Sequence, residues 1–190
     1  LYLGIPTFCF VIGTIAFTIG KDFFWSLLAY IAVFHFIRQQ YGFMRLYARN
    51  EMKTKFSVIF DKIVIYNATV YPMLFWFLSP DRNFNWFVQN EFIQASQPQI
   101  LSYLNVVYFI IFGCYIAQQL YKFIKTKSIN EPKTLLILGT YISWYLSIVY
   151  YNNELIFTAF NVISHGIPYM ALVYFREVEN APSKTFSFKF

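Results

Sequence analysis

Charged residues and histidines are scarce in this sequence. Of its 190 residues, 13% are charged and only two are histidine, whereas 58% are apolar and 23% are aromatic. The mean hydropathy of +0.46 exceeds what a water-soluble domain of this length tolerates. Because apolar residues come in runs of roughly 18 or more between charge clusters, we interpret these runs as membrane spans. The composition excludes a soluble globular domain, and the net charge of +6 reflects loop residues rather than a nucleic-acid interface.

Motifs of several enzyme classes are absent as well. The sequence contains no Walker loop, no G-x-G-x-x-G, no G-x-S-x-G and no H-E-x-x-H. No span carries the repeated arginines of a voltage sensor. The two cysteines, Cys9 and Cys114, fall in separate apolar spans and form neither a metal-spacing motif nor a disulfide framework. These absences exclude a serine hydrolase, a metalloprotease and a secreted disulfide scaffold within these residues.

The apolar segments predict an all-α, polytopic bundle of about six transmembrane helices over residues 1–176, followed by a polar cytoplasmic tail over 177–190. The second span is short, but its pattern continues as an amphipathic helix to about Arg49. Since the first residue is Leu1 rather than Met, we expect the chain to be part of a longer protein. The predicted spans are Leu1–Gly20, Phe23–Ile37, Ser57–Leu78, Leu101–Ile124, Thr134–Tyr151 and Leu155–Phe175.

Positive charge is unevenly distributed between the loops on the two sides of these spans. Twelve lysines and arginines fall on one side, whereas only Lys21 and Arg82 fall on the other. By the positive-inside rule, the side with twelve is cytoplasmic and holds both ends of this chain. The composition indicates a bacterial inner membrane. The twelve residues are Arg38, Arg45, Arg49, Lys53, Lys55, Lys122, Lys125, Lys127, Lys133, Arg176, Lys184 and Lys189.

Three of these cations form a stripe on one helix. Arg38, Arg45 and Arg49 are spaced by seven and four residues, which places them on one helical face. Such a face suits anionic lipid headgroups or an anionic substrate. The alternative is that the arginines only determine topology, which requires no ligand.

Both histidines lie inside predicted spans, where polar side chains are costly and mark functional sites. His35 lies about 18 Å and His165 about 15 Å from the outer end of its span, so the rings meet if the two helices are neighbours. Gln39 and Asn161 are each four residues from one histidine on the same face. With Asn67 of the third span, they form a candidate mid-membrane polar site.

Several functions fit this site. Two histidines on separate helices are candidate ligands for a haem iron or a single metal ion, so a redox or metal-dependent membrane enzyme is one hypothesis. A transporter-like subunit whose substrate passes the kinked sixth span is the second. The third is a structural or assembly subunit without catalysis, in which the polar residues hydrogen bond between helices. Its partner helices would pack on a face of small residues, Gly139, Ser143 and Ser147.

The remaining expectations concern packing. Tyr141, Trp144 and Tyr145 lie opposite the small-residue face and are expected to contact lipid. Asp61 is expected to pair with Arg38, which lies near the same depth. In the loop from Ser79 to Ile100, the aromatic residues Phe84, Trp86 and Phe87 are expected to anchor at the membrane interface, with a lid over a site as the alternative.

Overall fold

Six helices make up almost all of the described chain. The computed structural model describes residues 3–51, 54–80 and 85–175, and within them the only β pairing is an isolated bridge between Asn85 and Gln89. The predicted all-α class is confirmed. The helices are α1 (Gly4–Ile19), α2 (Lys21–Tyr47), α3 (Lys55–Leu78), α4 (Pro98–Thr126), α5 (Glu131–Trp144, continuing as a π-helix over Tyr145–Tyr150) and α6 (Glu154–Val173, with a π-helix over Val162–Gly166).

Local capping explains where most of these helices begin. The side chains of Thr54, Asn130 and Asn153 accept hydrogen bonds from the backbone N–H groups three residues later, at the starts of α3, α5 and α6. These bonds satisfy donors that have no partner within the helix. Helix α4 begins at Pro98, whose missing N–H costs nothing in the first turn. The predicted helices therefore start within a few residues of the observed ones.

Helix α3 lies at the centre of the bundle, packed against α2, α4 and α5, while α1 packs on α2 at one edge. Two buried clusters form the core. One contains Trp76, Trp144 and Phe157 in the half near the loop between α3 and α4. The other contains Tyr71, Tyr108 and Tyr141, with further residues from α2, α3, α4 and α5.

Fewer helices than predicted meet the requirements for a membrane span. Three are long and apolar enough to cross a bilayer, namely α3, α4 and α6. Helix α1 has only 16 residues. Helix α2 is long enough, but polar and basic residues occupy its second half, and the α-helical part of α5 ends after 14 residues. The prediction of six spans is thus supported for three, because length and hydropathy alone do not qualify the others.

The pairing predicted between Asp61 and Arg38 is wrong. Asp61 accepts a hydrogen bond of 3.0 Å from the ammonium of Lys133, which also contacts Glu51 at 2.8 Å. Lys133 is only 1% exposed and Asp61 is 4% exposed. In the sequence, Lys133 is one of the basic residues assigned to the loops. In the structure, α5 begins at Glu131 and carries the side chain of Lys133 between two carboxylates. The ion pair joins α3, α5 and the segment after α2.

The expected faces of α5 also differ from those observed. Tyr141 and Trp144 are buried in the core rather than facing lipid. Within the small-residue stripe, Ser147 is buried, Ser143 is half-buried and Gly139 is exposed, with open space where a Cβ would lie. The reason is that α5 is surrounded by α2, α3 and α6, so its large aromatic residues fill the core.

We expect that replacing Lys133 by Met destabilises the protein, since it leaves two largely buried carboxylates without a cation. The free energy of unfolding should fall by about 3 kcal/mol, and the melting temperature by roughly 6–12 °C. Thermal unfolding in detergent micelles measures this. Lys125→Met is the control, because Lys125 is exposed at the same end of the bundle and its loss should change stability by less than about 0.5 kcal/mol. Equal stability of Lys133→Met and the wild type would contradict the structural role of the ion pair.

Candidate intramembrane histidine site

The two histidines of the chain lie side by side. The ring centroids of His35 and His165 are 5.5 Å apart, with an angle of 73° between the ring planes. The ring of Phe36 packs on His165 at 4.8 Å. His35 lies about 21 Å along α2 from Lys21, and His165 lies about 16 Å along α6 from Glu154. The structure thus brings together two residues that are 130 positions apart, near the middle of both helices.

The backbone around His165 departs from a regular α-helix. Residues Val162–Gly166 form a π-helix, in which backbone hydrogen bonds join residues five positions apart instead of four. Pro168 lacks an N–H, so the carbonyl of Ser164 loses its usual helical donor, and Gly166 supplies no side chain to restrain the turn. Such bulges are found frequently at functional sites because they redirect side chains and expose backbone polarity. Here the bulge presents His165 towards α2.

Several polar atoms around the histidines are buried without a hydrogen-bond partner in the described residues. They are Nε2 of Gln39, Oδ1 of Asn161, Oγ of Ser164 and Nδ1 of His165. Asn161 is 3% exposed and uses its amide nitrogen for the carbonyl of Phe157, at 3.0 Å. Buried polar groups in native structures are nearly always paired, so each exception requires an explanation. The four atoms offer both donors and acceptors to a polar ligand.

Asn67 occupies a different part of the core. Its amide nitrogen donates to the carbonyl of Tyr108 at 3.2 Å and to the hydroxyl of Tyr141 at 2.8 Å. These bonds link α3 to α4 and α5. Of the five predicted polar residues, the structure brings His35 of α2 into ring contact with His165 of α6 and places Gln39 with His35 in one cavity lining. Asn161 is buried on α6 four residues before His165, and Asn67 joins other helices.

A groove between α2 and α6 opens beside the histidine pair. It has a volume of about 510 Å³ and is open along one side. On α2, the polar residues His35, Arg38 and Gln39 line it, and Gly42 leaves open space where a side chain would project. Its apolar walls are Phe43, Leu46, Tyr169 and Leu172. The groove therefore combines one cation with neutral donors and an apolar surround.

The three predicted headgroup arginines have different surroundings. Arg38 lines the groove, donates a hydrogen bond of 2.6 Å to the hydroxyl of Tyr66 and lies 5.6 Å from the ring centre of Tyr41. No carboxylate pairs with it in the described ranges. Arg45 lies in the last turn of α2 and Arg49 in the turn after it, so Arg49 does not extend the predicted helical stripe, and neither residue lines the groove.

Aromatic residues from the loop after α3 pack on Phe36 and Phe157, beside the histidine pair. Trp86 lies 6.5 Å from Phe36 and 5.8 Å from Phe157, measured between ring centres, and the buried Phe92 packs beside it. Phe87 stacks on Trp25 at 5.6 Å. Phe84 lies outside the described residues. We name Trp86, Phe92 and Phe157 the aromatic plug. Two of the predicted interfacial anchors are thus parts of packed ring clusters.

The shape of this loop depends on a residue that the sequence did not single out, Glu91. Its carboxylate accepts hydrogen bonds from the backbone N–H groups of Trp86, Phe87 and Val88, at 2.8, 3.3 and 3.0 Å. Glu91 is 2% exposed. Bonds from backbone N–H groups to a carboxylate are stronger than those between neutral groups. An acid within six residues of a tryptophan in an external loop is too common a pattern to predict such a turn.

The donor set does not fit a metal ion held by protein side chains alone. In the described ranges, no group of three or more His, Cys, Asp or Glu residues converges on one point. For a haem, the two rings would have to face one iron from opposite sides of a flat gap. Instead they contact each other, and Phe36 packs on His165. The role of His35 and His165 as metal ligands stays a prediction.

Comparison of this chain with known proteins gives no match. No family model matches the chain, and the searches of curated proteins and solved structures found no significant match. The class that the fold defines is an all-α protein with three helices able to cross a membrane.

We expect Glu91→Ala to loosen the loop that carries the aromatic plug, because three backbone N–H groups lose their acceptor. Amide hydrogen exchange at Trp86 and Val88 should accelerate by roughly tenfold or more. Exchange measured by mass spectrometry on peptides covering residues 85–93 checks this. Gln89→Ala is the matched control, since Gln89 is exposed in the same loop. Unchanged exchange in Glu91→Ala would show that the carboxylate does not hold the loop.

Proposed function

We propose that this chain is a multi-pass membrane protein whose six helices all cross the bilayer, and that its functional site is the histidine pair at the end of the α2–α6 groove. There it binds a polar group of a membrane-dissolved ligand and exchanges a proton with it. The observation that carries the proposal is the set of buried polar atoms without partners around His165. Sites of this kind inside a membrane are functional by default, because polar groups without a role are costly there.

Surface composition supports a bilayer around all six helices. Large apolar side chains are exposed on each of the six helices, for example Phe8, Phe34, Ile63, Ile110, Ile142 and Leu155. Water would not tolerate so extensive an apolar surface, whereas lipid chains favour it. Among the described helices, α1 packs chiefly on α2, which fits a short span at the edge of a bundle. Bacterial inner membrane and cytoplasmic chain ends stay predictions of the charge pattern.

Helix ends support the predicted orientation. The segment after α2 and the start of α5 meet where Asn130 donates to the carbonyl of Tyr47 at 2.9 Å, and both are lysine- and arginine-rich. At the opposite end, Trp76 donates to Asn152 at 2.9 Å and the backbone of Ile93 donates to Tyr30 at 2.9 Å. The basic loops therefore share one end of the bundle, which we assign to the cytoplasm.

The chemistry of the site follows from its residues. Each imidazole has one nitrogen that donates and one that accepts when neutral, so a pair can take a proton from a ligand and return it. Nδ1 of His165 is available, since it has no partner among the described residues. The aromatic plug closes the outer side, so the ligand enters through the groove. Gln39 and Asn161 offer a donor and an acceptor that fix its orientation.

Among the other candidate functions, a transporter-like subunit shares this groove but requires the plug to open. An assembly subunit would bind a partner helix through Gly139 and Ser143, which are exposed and half-buried. Neither candidate accounts for polar atoms buried without partners at the histidines.

Topology is tested by single cysteines in a background with Cys9 and Cys114 replaced by Ala. Ser128→Cys lies in a basic loop and Asn153→Cys lies at the opposite end of the bundle. We expect a membrane-impermeant maleimide to label Asn153→Cys in intact cells, and to label Ser128→Cys only after the membrane is permeabilised. Labelling of both from the outside would contradict the six-span topology.

Access to the histidines is tested with diethyl pyrocarbonate, which modifies imidazoles; two histidines give a simple count by mass spectrometry. Gly42→Leu places a side chain at the wall of the groove, and its Cβ meets no atom within 4 Å. We expect this variant to slow modification of His165 several-fold in nanodiscs. Gly113→Leu, the same change in open space on α4, should have no effect. Equal rates in Gly42→Leu and the wild type would show that the groove is not the route to the site.

A further inference from the structure

One face of α2 lines two cavities in succession. Towards its outer end, Phe24, Leu27, Leu28 and Ile31 line a cleft of about 390 Å³ between α1 and α2. Towards its cytoplasmic end, the face continues as the residues of the α2–α6 groove. The spacing from Ile31 to His35 is four residues, so the two linings form one continuous helical stripe. We name this stripe the α2 face.

The two cavities differ in polarity. The α1–α2 cleft is lined almost entirely by apolar atoms, with α1 contributing residues such as Phe8, Ile12 and Gly13. The α2–α6 groove contains Arg38, Gln39 and His35. The α2 face therefore changes from apolar to polar and basic within about 10 Å, the rise from Ile31 to Arg38. A surface of this kind is complementary to a molecule with an apolar tail and a polar head.

Charge determines what kind of head the groove accepts. Arg38 contacts Tyr66 and Tyr41, but no carboxylate in the described ranges neutralises it. Gln39 adds a buried N–H donor without a partner, one residue further on. Among the residues that the structure describes, no acidic side chain lines the groove. A guanidinium and an amide donor that face an apolar surround are complementary to a carboxylate or phosphate.

Depth agrees with such a ligand. Arg38 lies about 26 Å along α2 from Lys21, so in a hydrocarbon core of about 30 Å it lies just inside the cytoplasmic boundary. At this depth, the acyl chains of the cytoplasmic leaflet end and its headgroups follow. The residues of α2 that line the α1–α2 cleft lie about 10–21 Å along the helix from Arg38, at and beyond the middle of the bilayer, so a long extended acyl chain is needed to fill it. Both cavities are partly open to the protein surface, which in the proposed bilayer lets a lipid enter from the side.

We propose that the α2 face binds an anionic amphiphile, with its carboxylate or phosphate on Arg38 and Gln39 and its tail in the α1–α2 cleft. This inference rests on the proposed function and names the ligand class of the same groove. Bound in this way, the part of the ligand next to the head lies beside His35 and His165. A zwitterionic lipid of equal chain length lacks the net charge that Arg38 selects.

The experiment is native mass spectrometry of the detergent-solubilised protein, with dioleoyl phosphatidylglycerol, oleate, dioleoyl phosphatidylcholine and inorganic phosphate as separate probes. We expect phosphatidylglycerol or oleate to bind about tenfold or more tightly than phosphatidylcholine, and inorganic phosphate not to be retained. Preference for phosphatidylglycerol over oleate identifies a phosphate head, and the reverse identifies a carboxylate. Equal binding of phosphatidylcholine would overturn the proposal, as would retention of phosphate alone.

Substitutions in the protein test separately the contacts with the head of the ligand and the contacts with its tail. Arg38→Gln should lower the affinity for the preferred anionic probe by about tenfold or more, whereas Arg49→Gln, just after the end of α2 and outside the groove, should change it little. Gly13→Leu places a side chain in the cleft, where the nearest atom to its Cβ is an ordinary 3.8 Å away. It should weaken binding of the dioleoyl lipid but not of its dihexanoyl counterpart. Equal loss with Arg38→Gln and Arg49→Gln would refute the assignment of the head.

These outcomes are independent of the proposed function. If Gly42→Leu still protects His165 from diethyl pyrocarbonate while no anionic amphiphile binds preferentially, the histidine site stands and the ligand class is wrong. If the anionic lipid binds but Gly42→Leu has no effect on modification, the α2 face is a lipid site and the groove is not the route to the histidines.

Discussion

The need to pair polar groups away from water shapes every part of this bundle. Asp61 pairs with Lys133, the amide of Asn67 bridges two tyrosines, and Glu91 accepts three backbone N–H groups. Each of these contacts joins segments that are distant in sequence or fixes the shape of a loop. An unpaired buried polar group costs more than a typical hydrogen bond contributes, so these contacts select one arrangement of otherwise interchangeable apolar helices.

Against that background, the surroundings of His165 stand out. Some buried polar side chains elsewhere also lack a partner among the described residues, such as Ser79 and Trp144, whereas others are paired, for example Thr140, whose hydroxyl donates to the amide oxygen of Gln40 at 3.2 Å. At the α2–α6 contact, donors and acceptors accumulate where the helix is π-helical and a proline removes a backbone bond. The site combines backbone irregularity, proton-exchanging groups and an open groove, which are the features of a place built for a ligand.

Aromatic residues give this site its asymmetry. Trp86 and Phe92 from the loop, with Phe157 from α6, fill the space above the histidines, and large rings pack tightly at low entropic cost. On the other side, Gly42 leaves the wall of the groove without a side chain. The histidines are thus screened on the side of the loop between α3 and α4 and open towards the α2–α6 groove. This directionality supports a ligand that is dissolved in the membrane.

The sequence by itself determined the helical class and the helix positions within a few residues, because apolar run length and capping residues act locally. It also predicted that His35 and His165 lie at similar depth, since helical rise is fixed. The tertiary structure decided which helices are neighbours: that Lys133 rather than Arg38 pairs with Asp61, that Tyr141 and Trp144 face the core, and that Asn67 lies away from the histidines. When a helix has apolar residues on every side, its sequence does not specify which face points into the core. Packing and polar pairing across the bundle determine that face.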